Sequence, residues 1–131
     1  MKFLLDVNAL LALAHQDHAD HEKTSIWYRE TARAASAFLT CPITELGFLR
    51  VSMQTGLSRN LDAARDTLAG MKKSSRVPFV FVPDTLGAEK LPKYVRSPSQ
   101  LTDGYLLELA KAHGTKLATL DAGIPGALRI G

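Results

Sequence analysis

Apolar positions along the chain fall into two kinds of run. Short blocks predict buried strands: KFLL at residues 2–5, AFLTC at 37–41, FVFV at 79–82 and KLATL at 116–120. Longer stretches with apolar residues three and four apart predict helices between them. NALLALAH at 8–15 is the first. Asp17 offers an N-cap for a second helix running to about residue 34. The stretch 42–54 follows with Pro42 in its first turn. Residues 61–73 and 100–113 complete the set, the last closed by Gly114. A loop with Gly87, Pro92 and Pro98 separates the third strand from the last helix, and Ile130 adds a strand stub.

Strands alternating with helices indicate an α/β fold in which a mostly parallel sheet of four to five strands is covered on both faces. No repeat, low-complexity tract or linker divides residues 1–131, so the chain reads as a single domain. In such folds the ligand crevice lies outside the carboxyl ends of the strands. Asp6 directly follows the first strand and Asp121 the fourth. In LLDVNALLAL, Asp6 and Asn8 interrupt an otherwise apolar stretch.

Two more acids point to the same edge. Glu45 shares a helix face with Phe48 and Leu49, and Asp103 shares one with Leu106 and Leu107. Each also has an ordinary explanation. Asp6 or Asp121 could cap the next helix, Glu45 could follow a Thr44 cap, and Asp103 a Thr102 cap. Four carboxylates on one edge are harder to dismiss, because like charges and burial raise one another's proton affinity. A hard divalent cation, Mg²⁺ or Mn²⁺, relieves that repulsion and suits phosphodiester hydrolysis by an activated water. Asn8 lies close enough to orient Asp6, or could be a plain cap. Thr119 points to the same side of its strand as Asp121, or serves β-propensity alone.

Composition narrows the setting. The chain is 46% hydrophobic, with no run long enough to span a membrane. Lys2 and the following leucines imitate a secretory signal, but Asp6 and Asn8 break it. Together with the lone Cys41 this predicts a cytoplasmic protein with a buried free thiol. Net charge is +3, and the excess lies in residues 46–100, which hold nine Lys and Arg against four Asp and Glu. Such a segment can hold a phosphate backbone or simply aid solubility.

LLDVNALLAL, TELGFLRV, LTDGYLLELAKAHG and LATLDAG, in that order, resemble the PIN domain, and within it the VapC toxins of bacterial toxin–antitoxin pairs. The resemblance runs from Phe3 to about Asp121. It implies a three-layer α/β/α sandwich and a metal-dependent endoribonuclease. By position, Asp6, Glu45, Asp103 and Asp121 match the family's acidic quartet. Asp6, Asp103 and Asp121 would hold one or two Mg²⁺ or Mn²⁺ ions, with Glu45 binding a second ion or orienting water. Asn8 and Thr119 match small polar helpers, and Arg50 an arginine near the pocket, or a helix-surface charge. The resemblance further implies an RNA substrate, a homodimer and a VapB-like antitoxin. Gly104 departs from the pattern, since a helix former such as Ala is usual there, and costs the helix about 1 kcal/mol.

Other readings compete. His15, His18 and His21 recur every three residues, but they straddle a helix junction, where a common metal face would not hold. Asp84 after the third strand could be a phosphoacceptor, yet Asp6 has no acidic neighbour and Lys116 begins its strand. A dehalogenase-like phosphatase would need an acid where Asn8 stands. A PIN domain serving only to bind would be expected to lose some of its acids, and none is lost.

Overall fold

The computed structural model describes residues 1–131 in full. The strands are β1 (Lys2–Leu5), β2 (Ala37–Thr40), β3 (Phe79–Phe81), β4 (Lys116–Thr119) and β5 (Leu128–Arg129). The helices are α1 (Val7–Ala14), α2 (His21–Thr31), α3 (Pro42–Gln54), α4 (Leu61–Ser74) and α5 (Leu101–Ala112). All strand pairs are parallel, in the order β3-β2-β1-β4-β5. The expected fold class is therefore observed, with the fifth strand just ahead of the buried Ile130.

The pleat explains the apolar blocks. Phe3 and Leu5 of β1 face one way, with Phe38 and Ala118, and pack against Ala9, Leu10 and Leu11 of α1, Phe48 of α3 and Leu68 of α4. Leu4 faces the other way, with Ala37, Leu39 and Leu117, and packs on Leu106, Leu107, Leu109 and Ala110 of α5. Central strands buried on both faces need apolar residues at successive positions. The result is three layers, with α1–α4 on one face and α5 on the other. Phe38 anchors the larger core, its ring centroid 5.3 Å from Tyr28, 5.7 Å from Phe79 and 5.9 Å from Trp27.

Three local expectations change. The second helix starts at His21, not after Asp17. His15 and His18 carbonyls accept the N–H groups of His18 and His21, and His18 Nδ1 accepts that of Asp20, so residues 15–20 form turns instead. In α3 the N-cap position is Cys41, whose N–H donates to Thr44 Oγ1 at 2.9 Å, so Thr44 is not the cap before Glu45. In α5 the first residue is Leu101, so Asp103 follows no Thr102 cap. Gly47 lets α3 close on α1, since a Cβ there would stand 2.6 Å from Val7 Cγ2. This brings Glu45 and Asn8 to neighbouring helices at one end of the sheet. No helix is long and apolar enough to cross a membrane.

Candidate active site

Asp6 is the innermost acid, only 5% exposed at the end of β1. Its N–H extends the β1–β4 ladder to the Ala118 carbonyl. One carboxylate oxygen caps α1 by accepting the Val7 N–H at 2.8 Å, and the other accepts the Thr119 hydroxyl at 2.8 Å. The capping explanation is thus correct, and it does not exhaust the residue. Burial drives the Asp6 carboxyl above its ordinary pKa. The Thr119 and Val7 hydrogen bonds oppose this, and the Asp121 charge adds to it.

Thr119 is the hub. It is fully buried at the last position of β4. Besides bonding Asp6, its oxygen accepts the Asp121 N–H at 3.0 Å and an Asn8 side-chain N–H at 3.2 Å. Asn8 Oδ1 in turn accepts the Leu120 N–H at 3.1 Å. Asn8 therefore orients Asp6 through Thr119 and not by a direct bond. Asp121 is exposed, with Oδ1 taking the Gly123 N–H at 2.9 Å.

Asp103, the third residue of α5, faces the same group. Its carboxyl is raised by burial first, then by the charges of Asp6 and then of Asp121. Three aspartates from three separate elements thus repel one another at one carboxyl edge.

Glu45 has partners of its own. Thr40, the fully buried last residue of β2, donates to Glu45 Oε2 at 2.5 Å, and Lys72 of α4 forms an ion pair with the same oxygen. A cation stands beside this acid because α4 packs along α3 and delivers a half-buried ammonium. Thr40 was missed in the sequence, although it ends β2 just as Thr119 ends β4. Arg50 is exposed on α3 and forms no ion pair. Five residues on from Glu45, it lies about 140° around the helix.

The remaining candidates separate cleanly. His15 is buried, bonded to Ser52 Oγ at 2.9 Å and stacked on Phe48, while His21 bonds the Ala12 carbonyl at 2.7 Å. Each imidazole has its own structural partner, and no three His, Cys, Asp or Glu groups stand ready to ligate a common ion. Cys41 is buried and free, as expected. No cavity of the molecule is lined by the acidic trio, which occupies a sheet edge instead.

The donor chemistry fits a hard divalent cation. Mg²⁺ is commonly held by one or two carboxylates and several waters. A trio with no ready three-ligand cage therefore suits a water-rich site better than a closed one.

The chain is thus a parallel α/β sandwich with three aspartates at one strand-end edge. The comparisons make the class specific. The PIN domain family model matches residues 3–127, and the chain belongs to that family. It is 37% identical over 124 residues to Ribonuclease VapC38 of Mycobacterium tuberculosis, covering 92% of this chain and 86% of that protein. It is 36% identical over 140 residues to Ribonuclease VapC44 of the same species, covering 98% and 96%. Among solved structures, PAE2754 from Pyrobaculum aerophilum superposes with a TM-score of 0.61 at 21% identity, covering 99% of this chain and 84% of that one. The Mycobacterium tuberculosis toxin VapC20, described as cleaving the sarcin-ricin loop, superposes with a TM-score of 0.59 at 13% identity, covering 93% and 92%. These two share the fold.

Proposed function

We propose that this chain is a metal-dependent endoribonuclease of the VapC kind, the toxin of a toxin–antitoxin pair. The observation that carries the proposal is the convergence of Asp6, Asp103 and Asp121 on one sheet edge, in a PIN domain whose curated relatives are VapC ribonucleases. Asp6, Asp103 and Asp121 would hold Mg²⁺ or Mn²⁺. A bound ion would supply Lewis-acid polarisation of the phosphoryl group and charge neutralisation at the leaving oxygen.

The chain's own groups do the rest. Thr119 fixes one oxygen of Asp6 and the Val7 N–H fixes the other, so the innermost carboxylate cannot rotate freely. Glu45 Oε2 is held by Thr40 and Lys72, which leaves Oε1 to orient the attacking water and accept its proton. Attack on phosphorus breaks the bond to the 3′ oxygen and gives a 5′-phosphate and a 3′-hydroxyl. Asn8 serves through Thr119, and the basic middle of the chain, with Arg50 on its surface, holds the RNA backbone. A VapB-like antitoxin and a homodimer belong to the same reading.

Purified protein incubated with total RNA in Mn²⁺, in Mg²⁺ and in EDTA tests it. Discrete fragments that appear with metal and vanish with EDTA are expected. Equal cutting in EDTA, or none under any condition, overturns the proposal.

A further inference from the structure

The loop between β3 and α5 carries a residue that the acidic trio does not account for. Residues 92–95 form a turn, closed by the Val95 N–H to the Pro92 carbonyl at 3.1 Å. This turn sits on the first turn of α5, directly against Gly104. A Cβ at position 104 would collide with Val95 Cγ2 and would approach the Pro92 ring atoms to 3.2 and 3.3 Å. The glycine that departs from the expected helix former is therefore a seat. It lets a rigid proline turn lie on the residue next to Asp103.

Tyr94 is the side chain this seat delivers. Its ring packs against the core beneath α5. Its hydroxyl is buried with no hydrogen-bond partner. A buried phenolic O–H without an acceptor is uncommon enough to need a reason. The charges of Asp103 and then Asp121 act on it, after burial, to hold its proton. Tyr94 lies between Pro92 and Val95, which rest on Gly104, so its turn lies on the first turn of α5, the turn that carries Asp103.

We propose that Tyr94 is a positioning residue for the metal carboxylates, its phenolic O–H donating to Asp103 from a turn seated on Gly104. This rests on the metal-site reading above and adds a residue to it. Groups that hydrogen-bond metal ligands change metal affinity by roughly 10- to 100-fold when removed.

Calorimetric titration of the full chain with Mn²⁺ tests the proposal, with metal-free melting measured beside it. Tyr94→Phe removes only the hydroxyl. It is expected to raise the Mn²⁺ dissociation constant about tenfold, with a metal-free melting temperature equal to or above wild type. Gly104→Ala, which unseats the turn, is expected to weaken Mn²⁺ similarly, and the double variant to add little to either single one. If wild type binds Mn²⁺ and Tyr94→Phe binds it within about twofold, this inference is overturned alone. If wild type binds no Mn²⁺, the metal reading falls and takes this inference with it.

Discussion

The Thr119 hydroxyl donates to Asp6 Oδ2 across 2.8 Å, and Thr119 Oγ1 receives the Asp121 N–H at 3.0 Å. One buried threonine thus links two of the three aspartates, from opposite ends of the sequence. Thr119→Val keeps the shape and removes both bonds, together with the one from the Asn8 side-chain N–H. It leaves an Asp6 oxygen and the Asp121 N–H without this partner, and the expected cost is about 1–3 kcal/mol in denaturant unfolding. Thr119→Ser restores the oxygen and should recover most of the loss. A valine variant as stable as wild type would mean that the bonds carry little.

Asp6→Asn should stabilise the metal-free protein. Asparagine keeps one oxygen to cap α1, and its amide N–H can donate to Thr119 Oγ1 once that hydroxyl turns to Asn8 Oδ1, 3.4 Å away. In wild type the folded Asp6 holds its proton more tightly than the unfolded chain, whose ordinary pKa is 3.8. Between those two pKa values the native state binds more protons, so stability falls as pH rises through that window. The advantage in melting temperature of Asp6→Asn over wild type should therefore grow from pH 4 towards neutrality. His15, whose pKa burial lowers, works in the opposite direction, destabilising the fold as pH falls. It is present in both proteins and cancels from their difference. A difference that is flat with pH contradicts the charge argument.

Glu45 and the aspartates should separate in their effects. Because Lys72 and Thr40 already satisfy one Glu45 oxygen, Glu45→Gln should change Mn²⁺ affinity less than Asp103→Asn does. Its cleavage rate should still fall by about 10²- to 10⁴-fold, the usual contribution of a positioned base. Calorimetry beside single-turnover cleavage reads the two quantities separately. A Glu45→Gln variant that loses metal as fully as Asp103→Asn would place Glu45 among the ligands.

Lys72→Met should cost stability by about 1 kcal/mol, a modest value because the pair is partly exposed. Lys72→Met combined with Glu45→Gln should cost less than the sum of the two, since the second change removes the stranded charge. Urea unfolding of the three variants decides this.

Much of this architecture was legible from apolar periodicity. Strands buried on both faces and helices packed on one face leave different spacings, and β1, α3 and β4 fall close to where those spacings put them. Asp6 and Asp121 stood out because each directly follows an apolar strand block, and Asp103 because it shares a helix face with Leu106 and Leu107. The start of α2 was not legible, because its N-cap residue Asp20 makes no side-chain cap bond and the turns at residues 15–20 leave no periodic signal. Lys72 lies 27 residues from Glu45 on a helix whose rotation the pattern alone does not fix. Tyr94 sits in a loop with no period to read. Its one trace was Gly104, an unexplained glycine in a helix, which the packing of Pro92 and Val95 now explains.

The most direct measurement compares wild type and Asp6→Asn, purified identically, on one RNA with Mn²⁺, with the fragment ends characterised. Wild type should give discrete fragments bearing 5′-phosphates, and Asp6→Asn should give none while melting at or above the wild-type temperature. A folded Asp6→Asn that cleaves as well as wild type would contradict the account, because the innermost carboxylate of the trio would then play no part in the chemistry.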